Sequence, residues 1–191
     1  MANCTEGIAK NIASTCLTQP IGGTEVKAWM MNRSDISTIT YDVTDTTLVT
    51  AIVMKSTKKA YTLTGVKNLL NPGSSLVTAD DRANRWIHSF NFQGFQFDSA
   101  SQENLDSLAD IVVIVEMKNK LADNATFRIF GLTNGMYPSS DEFTANDIDG
   151  ARAITLESLA TAPEPASKNN FYITSYAASL AALVALETPP A

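Results

Sequence analysis

The side chains most often used for catalysis or metal binding are scarce in this chain, which has one histidine, His88, and two cysteines, Cys4 and Cys16. A histidine-based triad could be built only around His88, with an acid and a nucleophile supplied by distant parts of the chain. No Gly-x-Ser-x-Gly pattern marks such a nucleophile. His88 stands among aromatic residues in a strand-like segment, and this setting favours a packed or hydrogen-bonded histidine over a catalytic one.

The two cysteines, Cys4 and Cys16, both belong to the small, polar segment 1–23. Two thiolates cannot complete a closed zinc site, which takes four ligands. A reducing cytoplasm favours free thiols, and a disulfide between the two cysteines stays an open alternative.

Carboxylates are concentrated in residues 141–149, which lack the alternating ligands and the terminal bidentate glutamate of an EF-hand. A solvated or contact-making loop is therefore expected there. No glycine-rich segment is followed by the Lys-Ser/Thr pair of a phosphate-binding loop. We assign no catalytic, cofactor-binding or metal-binding residue, and we do not expect an enzyme.

Composition narrows the class of protein further. The 191 residues are 45% hydrophobic and 18% charged, with 14 Lys and Arg against 20 Asp and Glu, so the net charge is -6. This length and apolar content suit one domain with a sizeable core. The acidic surface disfavours nonspecific binding to nucleic acid. No apolar stretch is long enough to span a bilayer and residues 1–10 contain no apolar run, so we expect a soluble protein with no membrane partner.

The alternation of apolar and polar residues predicts a β-rich fold. Strands are predicted over residues 26–31, 36–41, 47–54, 58–66, 85–97, 111–117, 126–132, 151–159 and 171–176. Within 85–97, Trp86, His88, Phe90 and Phe92 share one face, and the phase changes after Gly94, as at a bulge. Residues 68–81 and 133–150 are predicted as long loops with turn chemistry.

One flanking helix is predicted over residues 101–110, with Ser101 as its cap and an apolar stripe of Leu105 and Leu108. Residues 178–186 could form a helix or an arm. The predicted organisation is an N-terminal arm over 1–23, a β-rich domain over 24–176 and a C-terminal arm over 177–191.

Turn chemistry at the ends of several strands carries a family resemblance. The segments are FRIFGLTNG at 127–135 followed by Met136, GARAITLE at 150–157, and the pairs Phe130-Gly131, Gly135-Met136 and Glu164-Pro165. Together they resemble bacteriophage tail tube proteins, the major tail proteins. Asn3-Cys4, Cys16 and Gly22-Gly23 are in turn similar to structural proteins of phages that infect Bacteroidota.

The resemblance implies a β-sandwich or small barrel with one flanking helix and extended arms and loops. It also implies self-assembly into hexameric rings that stack into a tube, with strands from six subunits lining the lumen as one barrel. The expected partners are further copies of the chain, neighbouring tail proteins, and the DNA and tape-measure protein that pass through the lumen without sequence-specific binding. The expected location is the tail of the virion, after synthesis in the host cytoplasm.

Other functions fit parts of the same pattern. A tail terminator, a head–tail connector, a minor capsid protein or the tube of a contractile injection system would share the β-rich fold. A β-sandwich that binds glycans or proteins would need an exposed aromatic platform, for which Trp86, Phe90 and Phe92 are the candidates, although their alternation with polar residues favours core packing.

Overall fold

In a computed structural model of the chain, the described residues are 23–64, 69–78, 84–94, 98–118, 124–143 and 152–190. They form eleven strands and two α-helices, so the prediction of a mostly β fold with a flanking helix is confirmed. The elements are β1 (Thr24–Asn32), β2 (Ile36–Tyr41), β3 (Leu48–Met54), β4 (Tyr61–Thr64), β5 (Leu70–Val77), β6 (Arg85–Gly94), α1 (Ser99–Asp106), β7 (Ile111–Met117), β8 (Phe127–Phe130), β9 (Tyr137–Phe143), β10 (Arg152–Glu157), β11 (Asn169–Phe171) and α2 (Tyr176–Ala185).

The described strands form two sheets, neither of which closes into a barrel. The large sheet has the order β2-β3-β11-β8-β7-β1-β4, and the small sheet has the order β5-β6-β10-β9. Neighbouring strands are antiparallel except β11 and β3, which are parallel. The three residues of β11 thus join the β2–β3 hairpin to β8 and the rest of the large sheet.

Each face of the large sheet has its own apolar core. Trp29 and Ile114 belong to the core on one face, against α2, whose Leu183 is fully buried. Met30 and Val113 belong to the core on the other face, against the small sheet. Because both faces of β7 are covered, its sequence is a continuous apolar run, as expected for a doubly buried strand. The molecule therefore has three layers: α2, the large sheet and the small sheet.

Two segments predicted as loops contain strands. β5 lies within 68–81 and β9 within 133–150, so the loop prediction is wrong for Leu70–Val77 and Tyr137–Phe143. Both are edge strands, where a proline such as Pro72 or Pro138 is tolerated because one side of the backbone has no partner in the sheet. Residues 144–150 lie outside the described residues.

The start of α1 and the structure of the C-terminal segment differ from or refine the prediction. α1 begins earlier than expected because the carboxylate of Asp98 accepts a hydrogen bond from the N–H of Ser101 at 2.8 Å, so Asp98 is the cap. Of the two alternatives at 178–186, a helix or an arm, the structure has the helix α2, which is capped by Ser175 and packs on the large sheet. The arm predicted over 1–23 lies outside the described residues except for Gly23, as does the phase change after Gly94.

No helix within the described ranges is long and apolar enough to cross a membrane.

Candidate functional site

His88 is fully buried in the middle of β6, and both of its ring nitrogens are occupied. Nδ1 accepts a hydrogen bond from the N–H of Gly131 at 2.9 Å, so Nε2 carries the proton and donates to the carbonyl oxygen of Ala166, also at 2.9 Å. Burial lowers the pKa of His88 and so favours this neutral form. Since neither nitrogen is free, the imidazole serves here as a link between β6 and the end of β8.

Glu164 is a second fully buried polar group beside the same turn. Its carboxylate accepts hydrogen bonds from the N–H groups of Thr133 at 3.1 Å and Asn134 at 2.8 Å. Gly131 and Gly135, which begin and end that turn, have φ angles of 71° and 76°, in the left-handed region that favours glycine. The residues of the Phe130-Gly131, Gly135-Met136 and Glu164 motifs are therefore brought together as one structural unit.

The outer face of the small sheet is polar. Phe90 and Phe92 of β6 and Ile154 and Leu156 of β10 point into the core. Side chains alternate along a strand, so the intervening residues point away from the core. We define the outer face by these residues: Ser89, Asn91, Gln93, Ala153, Thr155 and Glu157.

The edge strands extend the outer face in register. Asn71 of β5 pairs with Asn91, which pairs with Thr155, which pairs with Ser140 of β9. The amide of Asn91 donates to the hydroxyl of Thr155 at 2.8 Å, which confirms that the two side chains share this face. In the neighbouring pair, a Cβ on Gly73 would lie 2.8 Å from Oγ of Ser89, so the side chain of Ser89 lies over Gly73 on this face. The result is a surface of mostly polar side chains across four strands, interrupted toward Arg85 by Ile87 of β6, which lies opposite Ser75 of β5.

The charges on the outer face are unbalanced. Glu142 and Glu157 are exposed carboxylates on it. Arg152 turns to the other side, where it binds Asp141 and Asp106, and these contacts raise its pKa and lower that of Asp141. Arg85, at one end of β6, is the one Lys or Arg that the described residues of the four strands place on the outer face, against two carboxylates.

Both edges of the small sheet, β5 and β9, pair with no further strand in the part of the chain that the structure describes. The carbonyl oxygen of Leu70 accepts a hydrogen bond from Oγ1 of Thr24, so it points away from β6. Pro72 and Ser74 follow at intervals of two and point the same way. The N–H of Ser74 is thus directed outward, as a strand from another chain would require.

Exposed apolar groups occur on an ordered turn. Val43, between β2 and β3, is 99% exposed. The carboxylate of Asp42 accepts hydrogen bonds from the N–H and hydroxyl of Thr44 at 2.8 and 2.6 Å, and from the N–H of Asp45 at 3.0 Å. The turn therefore holds Val43 in a defined position in solvent.

Several sites considered from the sequence are not assembled by the described residues. Phe90 and Phe92 are fully buried, so they do not form a platform for a sugar. Across the described ranges, no three His, Cys, Asp or Glu side chains are grouped as a metal site would require, and Cys4 and Cys16 lie outside these ranges.

Comparisons of the chain with protein-family models, with curated proteins and with solved structures gave no match.

Proposed function

We propose that this protein is the structural subunit of a bacteriophage tail tube. Its copies assemble into hexameric rings, and the rings stack into a channel through which DNA leaves the virion. The observation that carries the proposal is the outer face of the small sheet: a polar, carboxylate-bearing surface on four strands whose two edges pair with no further strand among the described residues.

The open edges support closure of the small sheets into one barrel. In a ring, β5 of one copy pairs with β9 of the next, and each copy contributes four strands to the lining. Closure removes the exposed edges, which are otherwise a site of uncontrolled pairing. Pro72 and Pro138 each lack an N–H, so they limit the registers in which the edges can pair.

The electrostatics of the outer face support a conducting role. Glu142 and Glu157 repel the phosphates of DNA, the amides and hydroxyls around them are uncharged, and Arg85 is a cation at the far end of the same face. A lining of this kind lets DNA and a tape-measure protein pass without stable binding. The large sheet and α2 form the outer wall, where neighbouring tail proteins would bind.

Electron microscopy of the purified protein over a concentration series tests the proposal. We expect tubes with a central channel and regular ring spacing. Single closed rings would favour a tail terminator or connector instead. A protein that stays monomeric at all concentrations would contradict the proposal.

A pair of variants tests the barrel itself. Ser74→Pro removes the outward N–H of β5 but leaves the hydrogen bonds to β6, so the monomer should fold while tubes are lost. Ser74→Ala keeps the N–H and should assemble like the wild type. Tubes formed by Ser74→Pro would show that β5 is not a pairing edge.

A further inference from the structure

The large sheet carries a pair of cations that have no carboxylate partner among the described residues. Arg128 of β8 lies directly opposite Asn170 of β11. Lys168 lies immediately before β11, two residues from Asn170 along the chain. Burial lowers the pKa of Lys168, and the positive charge of nearby Arg128 lowers it further.

Arg128 faces away from α2. Phe127 and Ile129, on either side of Arg128, belong to the core against α2, so Arg128 points to the opposite face. On the adjacent strand β7, Glu116 lies opposite Phe127 and accepts a hydrogen bond from the hydroxyl of Tyr176 at 2.7 Å. That carboxylate is therefore on the α2 side of the sheet.

The cations lie at the border of the surface that the small sheet covers. β8 contributes Phe130 to the core shared with the small sheet, whereas β11, β3 and β2 contribute none of the described residues of that core. Beyond this border, Val53 of β3 is 49% exposed. We call this part of the large sheet, from Arg128 and Lys168 to Val53, the uncovered strip.

Two buried polar atoms in the uncovered strip lack partners. Nε of Arg128 and Oδ1 of Asn170 lie beneath the surface and form no hydrogen bond with the described residues, whereas the Arg128 side chain as a whole stays partly exposed. Burial lowers the pKa of Arg128, because the charged form loses hydration without gaining an anion. A half-buried guanidinium whose N–H has no acceptor lacks the anion that would complete an ion pair.

We infer that Arg128 and Lys168 bind a carboxylate of a neighbouring copy of this chain, through the uncovered strip. The planar guanidinium suits a carboxylate, to which it can donate two parallel hydrogen bonds, and the ammonium adds a second charge. A second copy is rich in such groups, with 20 Asp and Glu against 14 Lys and Arg. The inference rests on the proposed self-assembly, but it concerns the large sheet and is independent of the pairing of β5 with β9.

The test compares Arg128→Gln with Arg85→Gln, which removes an exposed cation from the small sheet. Assembly is followed by sedimentation and electron microscopy, and monomer stability by urea unfolding below the assembly concentration. We expect Arg128→Gln to raise the concentration needed for half-assembly about tenfold or more, since a buried charge pair is lost. Its monomer should be at least as stable as the wild type, and Arg85→Gln should assemble normally.

The other outcomes separate the explanations. Normal assembly of Arg128→Gln would overturn the inference and leave the proposed tube intact, whereas a wild-type chain that never assembles would overturn both. A less stable Arg128→Gln monomer would mean that the carboxylate comes from the same chain. Titration of the monomer with sodium acetate tests a free carboxylate as the ligand: saturable binding that Arg128→Gln abolishes without any loss of assembly would assign the site to a small anion and overturn the contact between copies.

Discussion

The N–H of Gly131 donates a hydrogen bond to Nδ1 of His88 at 2.9 Å, and this bond links the large sheet to the small sheet. Only a neutral imidazole has a lone pair at Nδ1, so protonation of His88 would set two N–H groups against each other. The protonation state of one side chain is thus tied to the docking of the two sheets.

The free energy of unfolding should therefore decrease as the pH is lowered through the range where this histidine titrates. Burial lowers the pKa of His88 below its ordinary value of 6.5, so the unfolded chain binds the proton more readily than the folded one. The contribution of His88 is complete above about pH 7 and is lost as the pH falls below about 6.5. Urea unfolding between pH 8 and 5.5 measures it. In His88→Asn, which keeps an acceptor for Gly131, this pH dependence should disappear; a wild-type stability that stays flat over the range would contradict the prediction.

Glu164→Gln should lower the free energy of unfolding by about 2 kcal/mol or more, because hydrogen bonds to a buried charged group are among the costly ones to lose. The amide that replaces one oxygen would face the N–H of Thr133 or Asn134 as a second donor. Glu157→Gln, at an exposed position of the outer face, is the matched control and should leave the free energy nearly unchanged. Equal effects of the two variants in urea unfolding would count against the prediction.

Gly135→Ala should destabilise the fold by at least about 2 kcal/mol, from the left-handed backbone and from a steric clash. The added Cβ would lie 1.9 Å from Oδ1 of Asp110, a carboxylate already bound to Arg33 at 2.7 Å. Gly73→Ala is the control, because its Cβ would meet only the hydroxyl of Ser89, which can rotate. The melting temperatures of the two variants should differ by several degrees in favour of Gly73→Ala.

In the proposed tube, Glu157→Lys should convert a lining that repels DNA into one that retains it. Assembled tubes are incubated with a short DNA duplex, sedimented and treated with nuclease. Tubes of Glu157→Lys should retain DNA that is protected from the nuclease, and wild-type tubes should retain none. Glu103→Lys makes the same change of charge at an exposed position on α1, so DNA bound by that variant should stay accessible to the nuclease. Protected DNA in both variants, or in neither, would argue that Glu157 does not face the lumen.

Val43→Asp should weaken the proposed assembly without changing the fold, since Val43 is almost fully exposed and its turn is held by the carboxylate of Asp42. An exposed apolar side chain in a fixed position is typical of a contact between proteins. Thr46→Asp places the same charge in the same turn and should have a smaller effect on the assembly concentration. Similar effects of the two variants would indicate a general charge effect instead of a specific apolar contact.

Much of the fold could be predicted because strands that border a core keep an apolar–polar alternation or a continuous apolar run. The predictions at 36–41 and 111–117 coincide with β2 and β7. β5 and β9 were missed because their prolines, serines and glycine also suit turns, and because an edge strand with one solvent face needs few apolar residues.

The sequence predicts the part of the outer face that lies on β6 and β10, but not the part on β5 and β9. The alternation in β6 and β10 already separates polar from apolar side chains, but the rows that reach β5 and β9 depend on strand pairing between segments far apart in the chain. The same holds for Arg128 and Asn170, whose opposition across β8 and β11 leaves no trace in local sequence pattern.

The position of β11 has a consequence for the timing of folding on the ribosome. β11 joins β3 to β8, yet it is made after every other strand described for the large sheet. Until Asn169–Phe171 have left the exit tunnel, the β2–β3 hairpin and the β8-β7-β1-β4 group remain two separate pieces. A nascent chain therefore lacks a finished large sheet before this point, so the proposed contacts between copies through that sheet could form only after β11 has emerged.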